Sequence, residues 1–176
     1  MLEIEIKAFC KSHDEVEKKL MACGAEFKEL VNEEDVYFQH PSRDFSKTGE
    51  AFRLRRINDK YCITYKGPKL SSKAKTRFEE ETFIDDAGKA VIIFEKLGFK
   101  KAGSVRKKRK IYFYNSAEIC LDEVEGLGCF VEIEKMGDDP IPVENELFEI
   151  ASLLDLNEFT SVSYLNMLMG VNDEKD

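Results

Sequence analysis

Pairs of like-charged side chains recur along this chain with one residue between them, the spacing that places two side chains on the same face of a β-strand. The first pair, Glu3 and Glu5, stands in the segment Leu2–Lys7, where apolar and charged residues alternate. Its carboxylates would lie about 6–7 Å apart along the strand, near enough to bind one hard cation together. A solvent-facing strand has the same alternation, so one pair alone does not indicate a site.

The same alternation returns in later segments, and each of them has one apolar and one strongly ionic side. Within the basic run, the alternation selects Lys107 and Arg109 unless a β-bulge shifts the register to Arg106 and Lys108. The carboxylates concentrate on the first and last strands and the cations on the middle strands, whereas ordinary surface strands mix the two signs. The ionic residues are Glu3, Glu5, Glu79, Glu81, Asp122, Glu132 and Glu134, together with Lys7, Arg53, Arg55, Lys66, Arg77, Lys107 and Arg109.

Helix signals and turns separate these strands. Ser12 and Asp85 are predicted to cap two amphipathic helices. The Lys-rich segment Gly67–Thr76 is predicted to be a solvated hairpin loop, with a basic lid as the alternative, and the tail Asn172–Asp176 is expected to fray. Further predicted elements are strands at Ala25–Leu30, Asp35–Gln39, Ala51–Ile57 and Tyr61–Lys66, a polar loop at Pro41–Gly49, and helices at Val143–Leu156 and Ser161–Leu168.

Strands of this kind can close into a barrel, which removes exposed sheet edges. Their ionic sides would then line a hydrated tunnel, and their apolar sides would pack beneath helices outside the barrel. An open sheet with one wet face is the alternative. We predict the closed arrangement: an α+β fold with an antiparallel barrel of eight to nine strands and outer helices, in one domain over residues 1–176.

Charges enclosed in a tunnel are costly unless a multivalent ligand binds them. Carboxylate ligands suit Mg²⁺ or Mn²⁺. Rows of Arg and Lys suit phosphate oxygens, Arg through its planar fork and Lys as a point charge. The residues together therefore indicate a metal-bound polyphosphate, and the absence of a G-x-x-x-x-G-K-S/T motif excludes a P-loop.

Composition narrows the class of protein. The net charge of -8 makes nucleic acid an unfavourable partner. The five cysteines are widely spaced without a C-x-x-C motif, which indicates a reducing cytoplasm without disulfides or a zinc site. The charged, alternating N-terminus does not resemble a signal peptide, and no apolar run approaches about 18 residues, so we expect no membrane span. With two histidines, an imidazole-based mechanism is disfavoured.

The ordered set of motifs resembles the CYTH superfamily, the triphosphate tunnel metalloenzymes, and the resemblance covers nearly the whole chain. The segment Leu121–Glu134 and the pair Tyr37-Phe38 are most similar to the class IV adenylyl cyclase branch. The motifs are Glu3-x-Glu5-x-Lys7, Arg53-x-Arg55, Lys66-Gly67-Pro68, Arg77-x-Glu79-x-Glu81, Lys107-x-Arg109, Asp122 and Glu132-x-Glu134, in the order that the family has them.

The resemblance implies an eight-stranded antiparallel tunnel that binds a triphosphate with Mg²⁺ or Mn²⁺. It places Asp122 near the reacting end, and Lys66 with Tyr37 where phosphatases of the family activate water; a packing role is the alternative for Tyr37. Arg77, Glu79 and Glu81 match in position, although a cross-strand ionic ladder would explain them equally well. The implied metal ligands are Glu3, Glu5, Glu132 and Glu134, and the implied phosphate-binding residues are Lys7, Arg53, Arg55, Lys66, Arg77, Lys107 and Arg109.

Overall similarity favours a class IV-type adenylate cyclase, which converts ATP to cyclic AMP and pyrophosphate. The alternative is an inorganic or thiamine triphosphatase, and a non-catalytic nucleotide or polyphosphate-binding protein is the third possibility. A metal–triphosphate site does not reveal which phosphorus is attacked, and no nucleobase contacts can be identified from the sequence. Members of the cyclase branch are often dimers, so a homodimer is a further possibility.

Overall fold

The computed structural model of the chain describes residues 2–68, 70 and 75–170. Two expectations from the sequence therefore fall outside the described residues. The first is whether the Lys-rich segment Gly67–Thr76 is a solvated loop or a basic lid, because its residues 69 and 71–74 are not described. The second is the fraying of the tail at Asn172–Asp176.

Nine antiparallel strands form one sheet in the described residues, in the order β5-β1-β9-β8-β7-β2-β3-β4-β6. The strands are β1 (Leu2–Phe9), β2 (Glu26–Gln39), β3 (Ala51–Ile57), β4 (Lys60–Lys66), β5 (Lys75–Arg77), β6 (Glu79–Ile84), β7 (Lys100–Tyr114), β8 (Ala117–Val124) and β9 (Gly128–Gly137). The two edge strands, β5 and β6, are separated in the chain only by Phe78, so the two edges of the sheet meet there. The predicted antiparallel barrel is confirmed.

Residues on both sides of the strands are buried, so the alternative of an open sheet with one solvent-facing side is wrong. Along β1 the apolar Ile4 and Ile6 alternate with Glu3, Glu5 and Lys7, and all five side chains are buried. The apolar side faces the helices, where strands β1, β8 and β9 contribute to the largest core. The charged side faces the barrel interior, and Lys7 there is only 3% exposed.

Five helices lie among the described residues: α1 (His13–Ala22), α2 (Phe45–Thr48), α3 (Ala87–Lys96), α4 (Pro140–Leu153) and α5 (Tyr164–Leu168). Helix α1 begins at its predicted cap, where the Ser12 side chain accepts a hydrogen bond from the Asp14 amide. Helix α3 begins one residue later than predicted, because Asp86 and not Asp85 accepts from the Lys89 amide, at 2.9 Å. No helix in these ranges has the length and apolarity needed to cross a lipid bilayer.

Other predicted elements also differ from the structure. The strands predicted at Ala25–Leu30 and Asp35–Gln39 are one strand, β2, with a register shift between Phe27 and Glu29. Between them, Val31 and Glu33 face the barrel interior. Glu34 faces outward, where it pairs with Arg56 and Arg106. The loop predicted at Pro41–Gly49 contains the short helix α2.

The C-terminal segment closes over one end of the barrel. The Phe9 amide donates to the Glu158 carbonyl at 2.8 Å, and the Thr160 amide donates to the Lys7 carbonyl at 2.9 Å. The segment thereby pairs with Lys7 and Phe9, in the part of β1 that β5 does not cover, and places α5 against inward-facing residues of β7. A Cβ at Gly103 would lie 2.6 Å from Leu165 Cδ1, so this glycine allows the helix to approach closely.

Leu147 anchors α4 on the barrel, and we expect Leu147→Ala to destabilise the protein by about 2–5 kcal/mol, because a fully buried side chain leaves a cavity. Urea denaturation would measure the loss. Leu153→Ala in the same helix is the control, since Leu153 is 56% exposed. Equal losses in both variants would contradict this account of the core.

Candidate active site

The barrel encloses a cavity of about 1750 Å³, and side chains from every strand line it. Of the site residues predicted from the sequence, all but Asp122 line this cavity. The parity chosen for the basic run is correct, because Lys107 and Arg109 are buried inside while Arg106 and Lys108 are exposed outside. The lining predicted residues are Glu3, Glu5, Lys7, Tyr37, Arg53, Arg55, Lys66, Arg77, Lys107, Arg109, Glu132 and Glu134.

Three carboxylates form a cluster in the tunnel wall. One oxygen from each of Glu3, Glu5 and Glu134 lies within 4.8 Å of the other two. Burial and the charge of Glu3 raise the pKa of Glu134 to about 8, and burial with neighbouring carboxylates raises the pKa of Glu3 to about 7, against the attraction of Lys66. Their crowding and burial disfavour three separate negative charges, which a bound cation would relieve. The carboxylate oxygens are hard ligands, so this set of donors fits Mg²⁺ or Mn²⁺.

Glu132, the fourth predicted metal ligand, has cationic partners. One of its oxygens lies 3.1 Å from Lys7 Nζ, and the other accepts a hydrogen bond from Arg109 Nη2. It therefore compensates two of the predicted phosphate-binding cations. Its role as a metal ligand stays a prediction.

Lys66, on β4, connects the cluster on β1 and β9 to β6. Its Nζ donates to the two oxygens of Glu3 at 2.8 and 2.9 Å and also contacts Glu79. Burial opposes ionisation of Glu79, but a hydrogen bond from Glu3 and the charge of Lys66 outweigh it and lower its pKa to about 2. Glu81 accepts from Thr64 at 2.8 Å. Both acids thus take part in cross-strand contacts.

Two acids on β2 that sequence reasoning missed hold the arginines of β3. Asp35 accepts two hydrogen bonds from Arg55, at 2.6 and 2.8 Å, and lies 3.6 Å from Arg53 Nη1. Glu33 lies 3.0 Å from Arg55 Nη1 and 3.2 Å from Lys107 Nζ. Burial disfavours their ionisation, but these cations outweigh it, so the pKa of Glu33 falls to about 2 and that of Asp35 falls well below its usual range.

The signal for these two acids was present in the sequence. Val31, Glu33, Asp35 and Tyr37 alternate with residues that point outward, as the burial along β2 shows. Dividing β2 into two strands removed Glu33 from the ionic row. No comparable signal marks Tyr164, which reaches the tunnel from the separate helix α5.

Asp122 lies behind the lining, with no exposed surface. Arg109 donates to its two oxygens at 2.6 Å each, and the Tyr164 hydroxyl donates to Oδ2 at 2.9 Å. Lys107 Nζ lies 3.5 Å from the same oxygen. Asp122 therefore fixes the orientation of two cations that face the cavity.

Tyr37, the predicted partner of Lys66, donates its hydroxyl hydrogen bond to Asp35 at 3.4 Å. It lies beside Arg53, while Lys66 is held by Glu3 and Glu79. Among the described residues, Nε of Arg53 and Nε of Arg77 are buried without a hydrogen-bond partner. Such donors are well placed for an anionic ligand, because an unsatisfied buried donor is costly.

The raised pKa of Glu134 predicts a pH-dependent gain in stability for Glu134→Gln in metal-free protein. An unfolded glutamate ionises near pH 4.3, whereas folded Glu134 keeps its proton to about pH 8. Between these values only the unfolded state loses the proton, so raising the pH lowers the free energy of unfolding of the wild type. Glu134→Gln removes this loss, and its melting temperature should rise relative to wild type from about pH 5 to about pH 8.

Circular dichroism melts in the presence of a chelator would measure the effect. The control is Glu149→Gln, because Glu149 is exposed on α4. A melting-temperature difference for Glu134→Gln that stays constant across this pH range would contradict the assignment.

Asp122→Asn should destabilise the protein by about 3–5 kcal/mol, since it leaves the buried guanidinium of Arg109 without its bidentate partner. Urea denaturation at neutral pH would measure it. Glu123→Gln, at the next and exposed position of β8, should stay within about 0.5 kcal/mol of wild type. Equal effects of the two substitutions would show that Asp122 does not hold Arg109.

Comparison with known proteins agrees with the fold. A candidate adenylate cyclase of Methanocaldococcus jannaschii is 39% identical over 172 residues, which cover 95% of this chain and 98% of that protein. Adenylate cyclase CyaB of Aeromonas hydrophila is 29% identical over 140 residues, 78% of this chain and 70% of that protein. The solved structure of the PH1819 protein from Pyrococcus horikoshii has a TM-score of 0.85 and 38% identity, covering 96% of this chain and 98% of its own.

The family model of the CYTH domain matches residues 1–164, nearly the whole length of the described barrel and its C-terminal segment. The chain therefore belongs to the CYTH domain family.

Proposed function

We propose that the protein is a metal-dependent adenylate cyclase that binds ATP in its tunnel and forms cyclic AMP and pyrophosphate. The observation that carries the proposal is the Glu3–Glu5–Glu134 cluster facing a wall of buried cations. A divalent cation and a triphosphate together match these two sets of charges. The names of the relatives at 39% and 29% identity support cyclisation over hydrolysis.

The cations of the tunnel would hold the triphosphate and neutralise charge on the departing pyrophosphate. Arg53 and Arg77 have buried Nε donors without hydrogen-bond partners among the described residues, and Lys7 and Lys107 approach the tunnel from β1 and β7. Asp35 and Asp122 keep the neighbouring guanidinium groups in fixed orientations through two hydrogen bonds each. Donors held in this way need no reorganisation when charge develops, which favours the transition state.

The reaction joins the ribose 3′-oxygen to the α-phosphorus and breaks the bond from that phosphorus to the bridging oxygen of pyrophosphate. The proton of the 3′-hydroxyl passes to water or to the departing pyrophosphate. When bound by Glu3, Glu5 and Glu134, Mg²⁺ or Mn²⁺ would supply Lewis-acid polarisation of phosphoryl oxygens. The chain itself positions the substrate through its cations.

We propose positioning roles for Asp122 and Tyr37. Asp122 lies behind the lining and holds Arg109. Tyr37 lines the cavity and donates to Asp35, which holds Arg55.

Glu5→Gln should lower the rate of cyclic AMP formation by at least about 100-fold, because one of the clustered carboxylates loses its charge. The assay incubates the protein with ATP, tripolyphosphate or thiamine triphosphate plus Mg²⁺ or Mn²⁺ and separates the products chromatographically. Glu80→Gln is the control, because Glu80 is exposed on the outer side of β6.

Cyclic AMP with pyrophosphate would support the proposal. Orthophosphate from tripolyphosphate or thiamine triphosphate, without cyclic AMP, would instead identify a triphosphatase. Tight binding without any product would identify a binding protein. Unchanged turnover in Glu5→Gln would contradict the role of the carboxylate cluster.

A further inference from the structure

The ammonium group of Lys7 on β1 is held in part by residues that follow the barrel strands in the chain. Its Nζ donates a hydrogen bond to the carbonyl oxygen of Val162, 155 residues away, at 3.3 Å. The same nitrogen lies 3.9 Å from the centroid of the Tyr164 ring and 3.1 Å from a carboxylate oxygen of Glu132. The face of an aromatic ring is electron-rich and attracts an ammonium group. Three different groups therefore restrain the end of this long side chain.

The side chain of Tyr164 also reaches a second lysine of the tunnel. Lys107 Nζ on β7 lies 5.3 Å from the centroid of the Tyr164 ring. The Tyr164 hydroxyl donates to Asp122 Oδ2 at 2.9 Å, and Lys107 Nζ lies 3.5 Å from that same oxygen. A single residue of α5 thus contacts cations from two strands, one through its ring and the other also through an aspartate.

Tyr164 is itself fixed in place. Its side chain is buried, and the ring of Phe130 meets it in an edge-to-face contact with 5.0 Å between the centroids. Ser163 caps α5 by accepting a hydrogen bond from the Asn166 amide at 3.2 Å. Burial raises the pKa of Tyr164 well above its usual range, so its hydroxyl remains a proton donor to Asp122.

Such restraint matters for a lysine that binds phosphate. A lysine side chain has several rotatable bonds, and ordering it when a ligand binds costs conformational entropy. Lys7 and Lys107 both line the cavity. Because contacts with Tyr164 order these two side chains before any ligand arrives, they should increase the affinity of the tunnel for phosphate groups.

We infer that Tyr164 is a positioning residue whose ring holds the Lys7 ammonium group in the orientation that binds phosphate oxygens. Its hydroxyl acts in the same way on Lys107 through Asp122. The inference rests on the proposed function for the phosphate-binding part of the tunnel. It adds that the C-terminal segment, and not the barrel alone, sets the affinity for phosphate.

The test is a double-mutant cycle in the full-length protein. Tyr164→Phe keeps the ring and removes the hydroxyl, whereas Tyr164→Leu removes both, and each substitution is also made in a Lys7→Met background. Isothermal titration with Mg²⁺ and tripolyphosphate, extended to millimolar ligand so that weak variants remain measurable, gives the dissociation constants. Circular dichroism melts check that each variant is folded.

Tyr164→Phe should raise the dissociation constant about threefold, and Tyr164→Leu about thirtyfold, since only the second removes the contact between ring and ammonium group. In the Lys7→Met background the difference between the Phe and Leu variants should shrink from about tenfold to below about threefold, because the ring no longer has Lys7 to hold. A purely structural role of the ring would leave that difference unchanged.

The matched control is Met167→Ala. Met167 lies on the same helix and packs against the same cluster as Tyr164, but it does not line the cavity. The substitution should lower the melting temperature and change the dissociation constant less than about twofold, because it loosens the packing of α5 without removing a contact to a cation.

Unchanged affinity in Tyr164→Leu would overturn the inference, as would a Phe–Leu difference that persists without Lys7 or an equal loss of affinity in Met167→Ala. If wild-type protein binds tripolyphosphate but forms no cyclic AMP, only the proposed cyclase function fails. If wild-type protein binds neither tripolyphosphate nor ATP, the inference and the proposed function fail together.

Discussion

The structure depends on mutual compensation of charges inside a closed barrel. Acidic and basic side chains that would be solvated on an open sheet are here removed from bulk water, which is unfavourable unless each finds an opposite charge or a ligand. Asp35 and Asp122 provide this for Arg55 and Arg109 through paired hydrogen bonds. The interior is therefore a network of fixed charges rather than a row of independent side chains.

Some of the described charges in the barrel interior lack an opposite charge or a hydrogen-bond partner, and ligands are expected at those positions. Three carboxylates crowd together at Glu3, Glu5 and Glu134, where the pKa of two of them is raised because a negative charge is poorly tolerated. Two arginine Nε donors, those of Arg53 and Arg77, have no hydrogen-bond partner in the described part of the chain, although Arg77 Nε lies 4.0 Å from Glu3 Oε2. A site that is stabilised by its ligands in this way gives up stability when they are absent, a trade-off often found at functional sites.

The alternation of residues predicted the barrel and most of its lining because the period of two is a direct consequence of strand geometry. The inward side chains of β1, β3, β7 and β9 could be identified without coordinates. The same rule identifies Glu33 once Glu26–Gln39 is treated as one strand. The prediction divided this segment into two strands, and Glu33 fell between them. The prediction named Asp85 instead of Asp86 as the N-cap of α3, because two adjacent aspartates are equally suitable N-caps when only the sequence is known.

The sequence by itself determined which side of each strand is ionic, and hence the chemical nature of that side. Only the tertiary structure decided that the sheet closes into a barrel, because its edge strands β5 and β6 meet at Phe78. The sequence could not determine which charges meet, because partners such as Arg109 and Glu132 belong to strands whose relative positions are fixed only by register and barrel closure. Nor could it place Tyr164, which reaches Asp122 across 42 residues of chain.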